Sequence, residues 1–103
     1  LSQELNKETQ HELIIGNEEI SNRPVTINSR ARAAQYEIRL SIEVSLKRNQ
    51  AFLFEQEALF VDRIFFEDIQ NITGNQEEIR IISSEMRQDL VSHVIRRIES
   101  AIN

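Results

Sequence analysis

The chain of 103 residues has no cysteine, a single proline and only two glycines. Without cysteine it can form neither disulfides nor thiolate metal sites. With glycine only at Gly16 and Gly74, it has no glycine-rich phosphate loop. No apolar run approaches the roughly 18 residues needed to span a bilayer. Acidic residues outnumber basic ones, and the net charge of −5 argues against a nucleic-acid binder. At this length we expect a single domain, residues 1–103.

The most regular pattern in the chain is an alternation of apolar and polar residues from Tyr36 to Lys47. Every even-numbered position is apolar and every odd-numbered position is polar. Successive side chains of a strand point to opposite faces of the sheet. The alternation therefore predicts a strand with one buried face and one solvated face.

A long amphipathic helix is predicted from about Gln76 to Ile102, with Asn75 as its N-cap. Its apolar residues recur every three or four positions, at Ile79, Ile82, Met86, Leu90, Val94, Ile98 and Ile102. A strand with one apolar face needs a cover, and this stripe can supply it. We therefore expect an α+β fold, with an antiparallel or mixed β-sheet and a long C-terminal helix packed on one face.

Two further strands are predicted, one on each side of the alternating strand. The first covers His11–Ile20, with a bulge or bend at Gly16, and is interrupted at Ser21-Asn22-Arg23-Pro24. At Pro24 the chain either turns or lies on an edge of the sheet, and Val25-Thr26-Ile27 can resume the strand. The other runs from Phe52 to about Phe66, after a turn at residues 47–50. It is apolar on both sides, so we expect one side to be buried in the domain and the other to be covered by a missing helix, a neighbouring copy or a partner protein. The set assigned to the partner interface is Leu59, Val61 and Phe65; the opposite set is Ala58, Phe60, Ile64 and Phe66.

No combination of residues indicates catalysis. His11 and His93 are the only histidines, and on its helix face His93 has only Asp89, four residues back, at ligand spacing. One histidine and one aspartate do not make a metal site, so no metal site and no cofactor are predicted. We therefore expect a protein that is not an enzyme. The best ligand candidates are Arg30 and Arg32, two residues apart in a polar connection, where two guanidiniums can bind phosphate or carboxylate. The alternative is a loop whose arginines only confer solubility.

Several stretches resemble one known family, the lipopolysaccharide-assembly lipoprotein LptE. The first is Ala34-Gln35-Tyr36-Glu37 together with the alternating strand that follows. The second is Val61-Asp62-Arg63-Ile64-Phe65-Phe66-Glu67-Asp68, similar to a strand ending in Arg-x-Phe-Phe-Asp in that family. The third is the helix from Glu77-Glu78 through Met86 and Leu90 to Ile95-Arg96-Arg97-Ile98. The resemblance covers roughly Leu13 to Ile102.

The resemblance implies a non-enzymatic component of lipopolysaccharide (LPS) export in Gram-negative bacteria. Proteins of this family are lipid-anchored on the periplasmic side of the outer membrane. They plug the β-barrel of LptD, assist its assembly and bind LPS. The sequence alone also allows another periplasmic α+β accessory lipoprotein or a pilot-type interaction module.

The family fold places two helices on one face of a four-stranded sheet. Here the lipid-bearing cysteine and most of the first strand and the first helix are missing, so we expect a trimmed part of a larger precursor. The two basic LPS-contact positions of the family fall on Ser29, beside Arg30, and on Asn75. Because neither residue is basic, the resemblance leaves LPS contact to the Arg30/Arg32 pair.

Overall fold

Three strands and one helix make up the part of the chain that the structure describes. This computed structural model describes residues 10–27, 33–68 and 70–103. The elements are β1 (His11–Ile27), β2 (Ala33–Arg48), β3 (Ala51–Asp68) and α1 (Ile72–Ile102). The strands form an antiparallel sheet in the order β1-β2-β3. The predicted α+β fold with a long C-terminal helix is therefore confirmed.

The core lies between α1 and the even-numbered face of β2, as the alternation predicts. Leu40 is paired with Ile20 of β1 and Val61 of β3. It is buried in one cluster with Ile38, Val61, Phe65, Met86 and Leu90. Farther along the sheet, a second cluster of Val44, Leu46 and Phe54 packs against Val94 and Ile98 of the helix. The helix stripe thus covers the face of β2 that the sequence assigns to it.

Strand β1 is longer and more continuous than predicted. Hydrogen-bonded pairing with β2 runs from His11 to Ile27, with register irregularities between Ile15 and Glu18 and between Pro24 and Thr26. The first irregularity contains Gly16, where the sequence predicts a bend. The predicted interruption at residues 21–24 is wrong, and of the two alternatives at Pro24 the edge position is confirmed. In the described sheet β1 is an edge strand, and an edge strand tolerates a residue that cannot donate to the ladder.

A two-residue turn joins β2 to β3. Asn49 and Gln50 have φ values of 50° and 74°, and positive φ at both central residues is the mark of a type I′ hairpin turn. This turn twists in the same sense as the strands it connects. The strands consequently extend to Arg48 and Ala51, so the turn has two residues, whereas the sequence predicts four.

The helix begins a turn earlier than predicted, at Ile72, and its N-cap is Asn71 rather than Asn75. The backbone N–H of Gly74 donates to Asn71 Oδ1 at 3.1 Å. Asn75 is buried instead. Its side chain accepts a hydrogen bond from the N–H of Asp68 at 3.1 Å and donates to the carbonyl of Asp68 at 2.5 Å. Asn75 thus ties the first turn of the helix to the end of β3.

Three arginine–carboxylate pairs link α1 to the sheet. Arg97 donates two hydrogen bonds of 2.9 Å to Glu57 of β3, and Asp89 pairs with Arg63 of the same strand. On the other side, Arg87 donates to Glu18 of β1 at 3.0 Å. All three pairs are substantially solvated, so each adds little to stability.

Candidate functional site

The predicted anion ligands Arg30 and Arg32 lie outside the described residues. The strand ends on either side of them are described. Ile27 of β1 pairs with Ala34 of β2, and Ala33 of β2 pairs with Asp68 of β3. The two strand ends that flank residues 28–32 thus lie at the end of the sheet where β3 leads into α1. Asn75, the second position that the resemblance marks for LPS contact, lies at this end and holds the backbone of Asp68.

The two apolar sides of β3 have different environments. Val61 and Phe65 are buried beneath α1, and Leu59 packs partly buried against the same cluster. The opposite set remains exposed, with 45% of Phe60, 42% of Ile64 and 63% of Phe66 accessible to solvent. The prediction that only one side is buried within the chain is confirmed. The buried side is the one assigned to a partner, so the apolar surface that β3 offers is the other side.

We call Phe60, Ile64 and Phe66 the outer patch. They lie on the face of the sheet away from the helix, together with Asp62 and its register partner Arg39. The Arg39 guanidinium donates to both carboxylate oxygens of Asp62, at 2.8 and 3.0 Å, and its Cζ lies 4.0 Å from the centre of the Phe60 ring. These hydrogen bonds lower the pKa of Asp62. The outer patch therefore combines apolar contact area with a fixed ion pair.

A groove separates β1 from α1 on the helix side of the sheet. We call it the β1 groove. It has a volume of about 310 Å³. Its lining is mainly Leu13 and Ile15 of β1 with Val91, Val94, Ile95 and Ile98 of α1, and Glu18 and Arg87 also line it. The groove exists because α1 packs over β2 and β3, leaving the helix-side face of β1 open. Ile15 is 57% exposed and Val91 is likewise 57% exposed.

Neither surface offers chemistry beyond contact and charge. Among residues 10–27, 33–68 and 70–103, no three side chains of the metal-binding types come together. In those ranges no helix is both long enough and apolar enough to cross a membrane. Beside the Phe54 ring, the hydrogen bonds that Arg97 donates lower the pKa of Glu57.

The sequence identifies the residues of the outer patch as one apolar side of β3. It assigns that side to the interior of the domain, whereas in the structure that side is exposed. The pattern of β3 shows two apolar sides without showing which one meets the helix. The register supplies the missing information, since Val61 lies opposite Leu40 and Phe65 lies opposite Tyr36. The partner residues of a strand that is apolar on both sides can thus be assigned only once its pairing with the amphipathic strand is known.

Comparison with protein families gives one match that covers nearly the whole chain. The family model of LptE, described as lipopolysaccharide-assembly, matches residues 1–98. Among curated proteins no significant match was found.

Proposed function

The chain belongs to the LptE family of lipopolysaccharide-assembly proteins, and we propose that it acts as a plug and assembly partner of an LptD-like β-barrel and binds LPS. The observation that carries this proposal is the family match over residues 1–98. Membership assigns the chain to LPS assembly at the outer membrane, a non-enzymatic role. It also favours this reading over the pilot-type module that the sequence allows. A lipid anchor upstream of residue 1 would hold the protein on the periplasmic side.

The outer patch supports contact with a large protein partner. Phe60, Ile64 and Phe66 expose aromatic and branched side chains along one strand, and such residues are enriched where protein interfaces form. Arg39 and Asp62 already neutralise each other beside the patch. A partner that covers the patch would therefore not have to bury an unpaired charge there. The inner wall of a barrel is a surface of sufficient extent to cover it.

The Arg30/Arg32 pair supports recognition of an anionic ligand. The two arginines lie close together in a chain whose net charge is −5, in the connection between β1 and β2. Guanidinium groups form bidentate, charge-assisted hydrogen bonds with phosphate. The phosphates of LPS are groups of this kind. This contact would weaken as salt is added, because exposed charges are screened over about 10 Å at 0.1 M ionic strength.

Barrel binding can be tested with a charge placed in the outer patch. Ile64→Asp in the full-length mature protein should reduce co-purification with the barrel, because burying the new carboxylate is unfavourable. The matched control is Ile81→Asp on the solvent-facing side of α1, where the isoleucine is 48% exposed. Normal recovery of the barrel with Ile64→Asp would remove the outer patch from the interface. Loss with Ile81→Asp alone would move the interface to the helix.

LPS binding requires a separate comparison. The double variant Arg30→Ala/Arg32→Ala should bind LPS more weakly than the wild type and show less dependence on salt. The control Arg48→Ala/Arg96→Ala removes the same net charge from two exposed positions elsewhere. Equal affinities for both double variants and the wild type, with all proteins folded, would exclude the loop as an LPS contact and leave the barrel role untouched.

A further inference from the structure

The hairpin that joins β2 to β3 projects past the end of the helix. β3 has 18 residues and α1 has 31, which gives lengths of about 59 Å and about 46 Å. Near its C-terminus the helix packs against the second core cluster through Ile98 and Ala101. Residues 47–53 lie beyond that cluster, and we call them the hairpin tip. Its two large apolar side chains are exposed, Phe52 by 45% and Leu53 by 38%.

Hydrogen bonds and the turn hold the hairpin tip in one conformation. Asn49 and Gln50 form the type I′ turn. The N–H of Asn49 donates to the carbonyl of Gln10 at 2.9 Å, and the N–H of Gln10 donates to the Asn49 side chain at 3.2 Å. The start of β1 is thus fastened to the turn. A surface that is ordered before it binds loses little conformational entropy on binding.

The hairpin tip combines its apolar side chains with cations that have no carboxylate partner. Lys47 and Phe52 are register partners, and the Lys47 ammonium lies 4.9 Å from the centre of the Phe52 ring. Arg48 follows Lys47, and no described carboxylate forms an ion pair with either. The register places one acid, Glu12 of β1, opposite Lys47. Residues 47–53 themselves contain no acid, so the hairpin tip is basic in a chain whose net charge is −5.

The outer patch differs from the hairpin tip in its electrostatics. Phe60 is also 45% exposed, and Cζ of Arg39 lies 4.0 Å from the centre of its ring. Arg39, however, is neutralised by its two hydrogen bonds to Asp62. The cation above Phe52 remains available for an anion. Two rings with the same exposure therefore suit different partners, a neutral surface at Phe60 and an anionic surface at Phe52.

We propose that the hairpin tip contacts the surface of an anionic phospholipid bilayer. Aromatic side chains favour the membrane interface, and Lys47 and Arg48 are attracted by anionic headgroups. The long stem of Lys47 lets its ammonium stay among the phosphates while the Phe52 ring lies deeper. A protein partner fits less well, because the hairpin tip has seven residues and a protein interface takes about 20–30 residues from each side. This inference does not depend on the proposed function, since it requires neither the barrel nor LPS.

Tryptophan fluorescence tests the contact, because the chain has no tryptophan. Phe52→Trp reports on the hairpin tip, and Phe60→Trp reports on the outer patch, about 20 Å away along the sheet. The full chain, expressed without an acyl anchor, is mixed with vesicles of equal parts phosphatidylcholine and phosphatidylglycerol, or of phosphatidylcholine alone. With the anionic vesicles only, Phe52→Trp emission should shift to shorter wavelength and be quenched by lipids brominated on their acyl chains. Phe60→Trp should respond to neither vesicle.

Charge variants in the Phe52→Trp background test the basic side chains. Lys47→Gln should raise the vesicle concentration for half-maximal quenching about fivefold, the factor that one basic residue contributes at an anionic surface. The matched control Arg80→Gln removes the same charge from an exposed position near the other end of α1 and should leave that concentration unchanged. Glu12→Gln should lower it, because the acid opposite Lys47 is removed.

Three results would overturn the proposal. The first is an absent response of Phe52→Trp to the anionic vesicles, or an equal response of Phe60→Trp, which would show that the whole sheet face adsorbs. The second is an equal effect of Lys47→Gln and Arg80→Gln, which would show that net charge alone decides. The third is a shift of Phe52→Trp emission on co-purification with the barrel but not with vesicles, which would assign the hairpin tip to a protein contact.

Discussion

Replacing Leu40 with alanine should lower the free energy of unfolding by about 3 kcal/mol. Leu40 is 2% exposed and lies between Ile20 and Val61 in the sheet, in one cluster with Met86 of the helix. Removing three buried carbons costs about 2.4 kcal/mol in transfer free energy, and the cavity left behind adds to this. A narrow crevice lined in part by Ser83 already borders Leu40. Because this crevice gives neighbouring side chains room to relax, we expect a loss of stability in the lower half of the range of about 2.7–5.0 kcal/mol for buried leucines.

Urea unfolding followed by circular dichroism measures this loss, and a thermal scan should show a fall in Tm of about 14 °C for a chain of this length. The matched control is Leu53→Ala, which removes the same atoms from a strand residue that is 38% exposed. It should cost less than about 1 kcal/mol. Equal losses for the two variants, or a loss below about 1 kcal/mol for Leu40→Ala, would refute the assignment of the core to this face.

Three smaller changes test local features. Gln50→Gly should raise stability by about 0.5–1 kcal/mol in urea unfolding, because glycine adopts the positive φ of the turn without strain. Asn75→Ala should cost about 1–3 kcal/mol in the same assay, since the N–H of Asp68 loses its acceptor on Asn75 and the carbonyl of Asp68 keeps only the bond from the N–H of Asn71. The bonds from Arg97 lower the pKa of Glu57, so the stability from this pair is present above the unfolded pKa of about 4.3 and is lost as the pH falls through the lower folded value. Glu57→Gln should therefore flatten the stability-versus-pH curve below about pH 4; an unchanged acid slope would contradict this.

The fold could be predicted from the sequence where one physical signal dominated. The alternation from Tyr36 to Lys47 reports burial directly, and the stripe of α1 reports its buried side, so the layer of helix on sheet followed from the two together. Boundaries were less accessible. Asn71 and Asn75 carry the same side chain, so residue type alone does not show which of them caps the helix. Only the three-dimensional approach of Asp68 to Asn75 shows that the second side chain binds the strand and leaves the first to cap the helix.

The candidate site depended on information that is not local in sequence. The outer patch could be assigned to a surface only after the pairing of β3 with β2 was known, because the apolar pattern of β3 is the same on both sides. The β1 groove had no sequence signal either, since it arises from where α1 lies across the sheet. Arg30 and Arg32 were found from residue type alone, and their assignment as ligands stays a prediction that binding measurements must test.

The ion pairs of α1 bear on how the helix is aligned along its axis over the sheet. Met86, Leu90, Val94, Ile98 and Ile102 recur every four residues, so a helix displaced along its axis by one turn, about 5.4 Å, would still lay a hydrophobic residue over each position of the sheet. Packing alone discriminates poorly between these two alignments. Arg87, Asp89 and Arg97 are spaced unevenly along the helix, and each has its own partner on the sheet. A slip of one turn would break the pairs of Arg87 and Arg97 in either direction, whereas Glu85, four residues before Asp89, could replace Asp89 in one of them. Two contacts that add little stability therefore favour one axial alignment over the other.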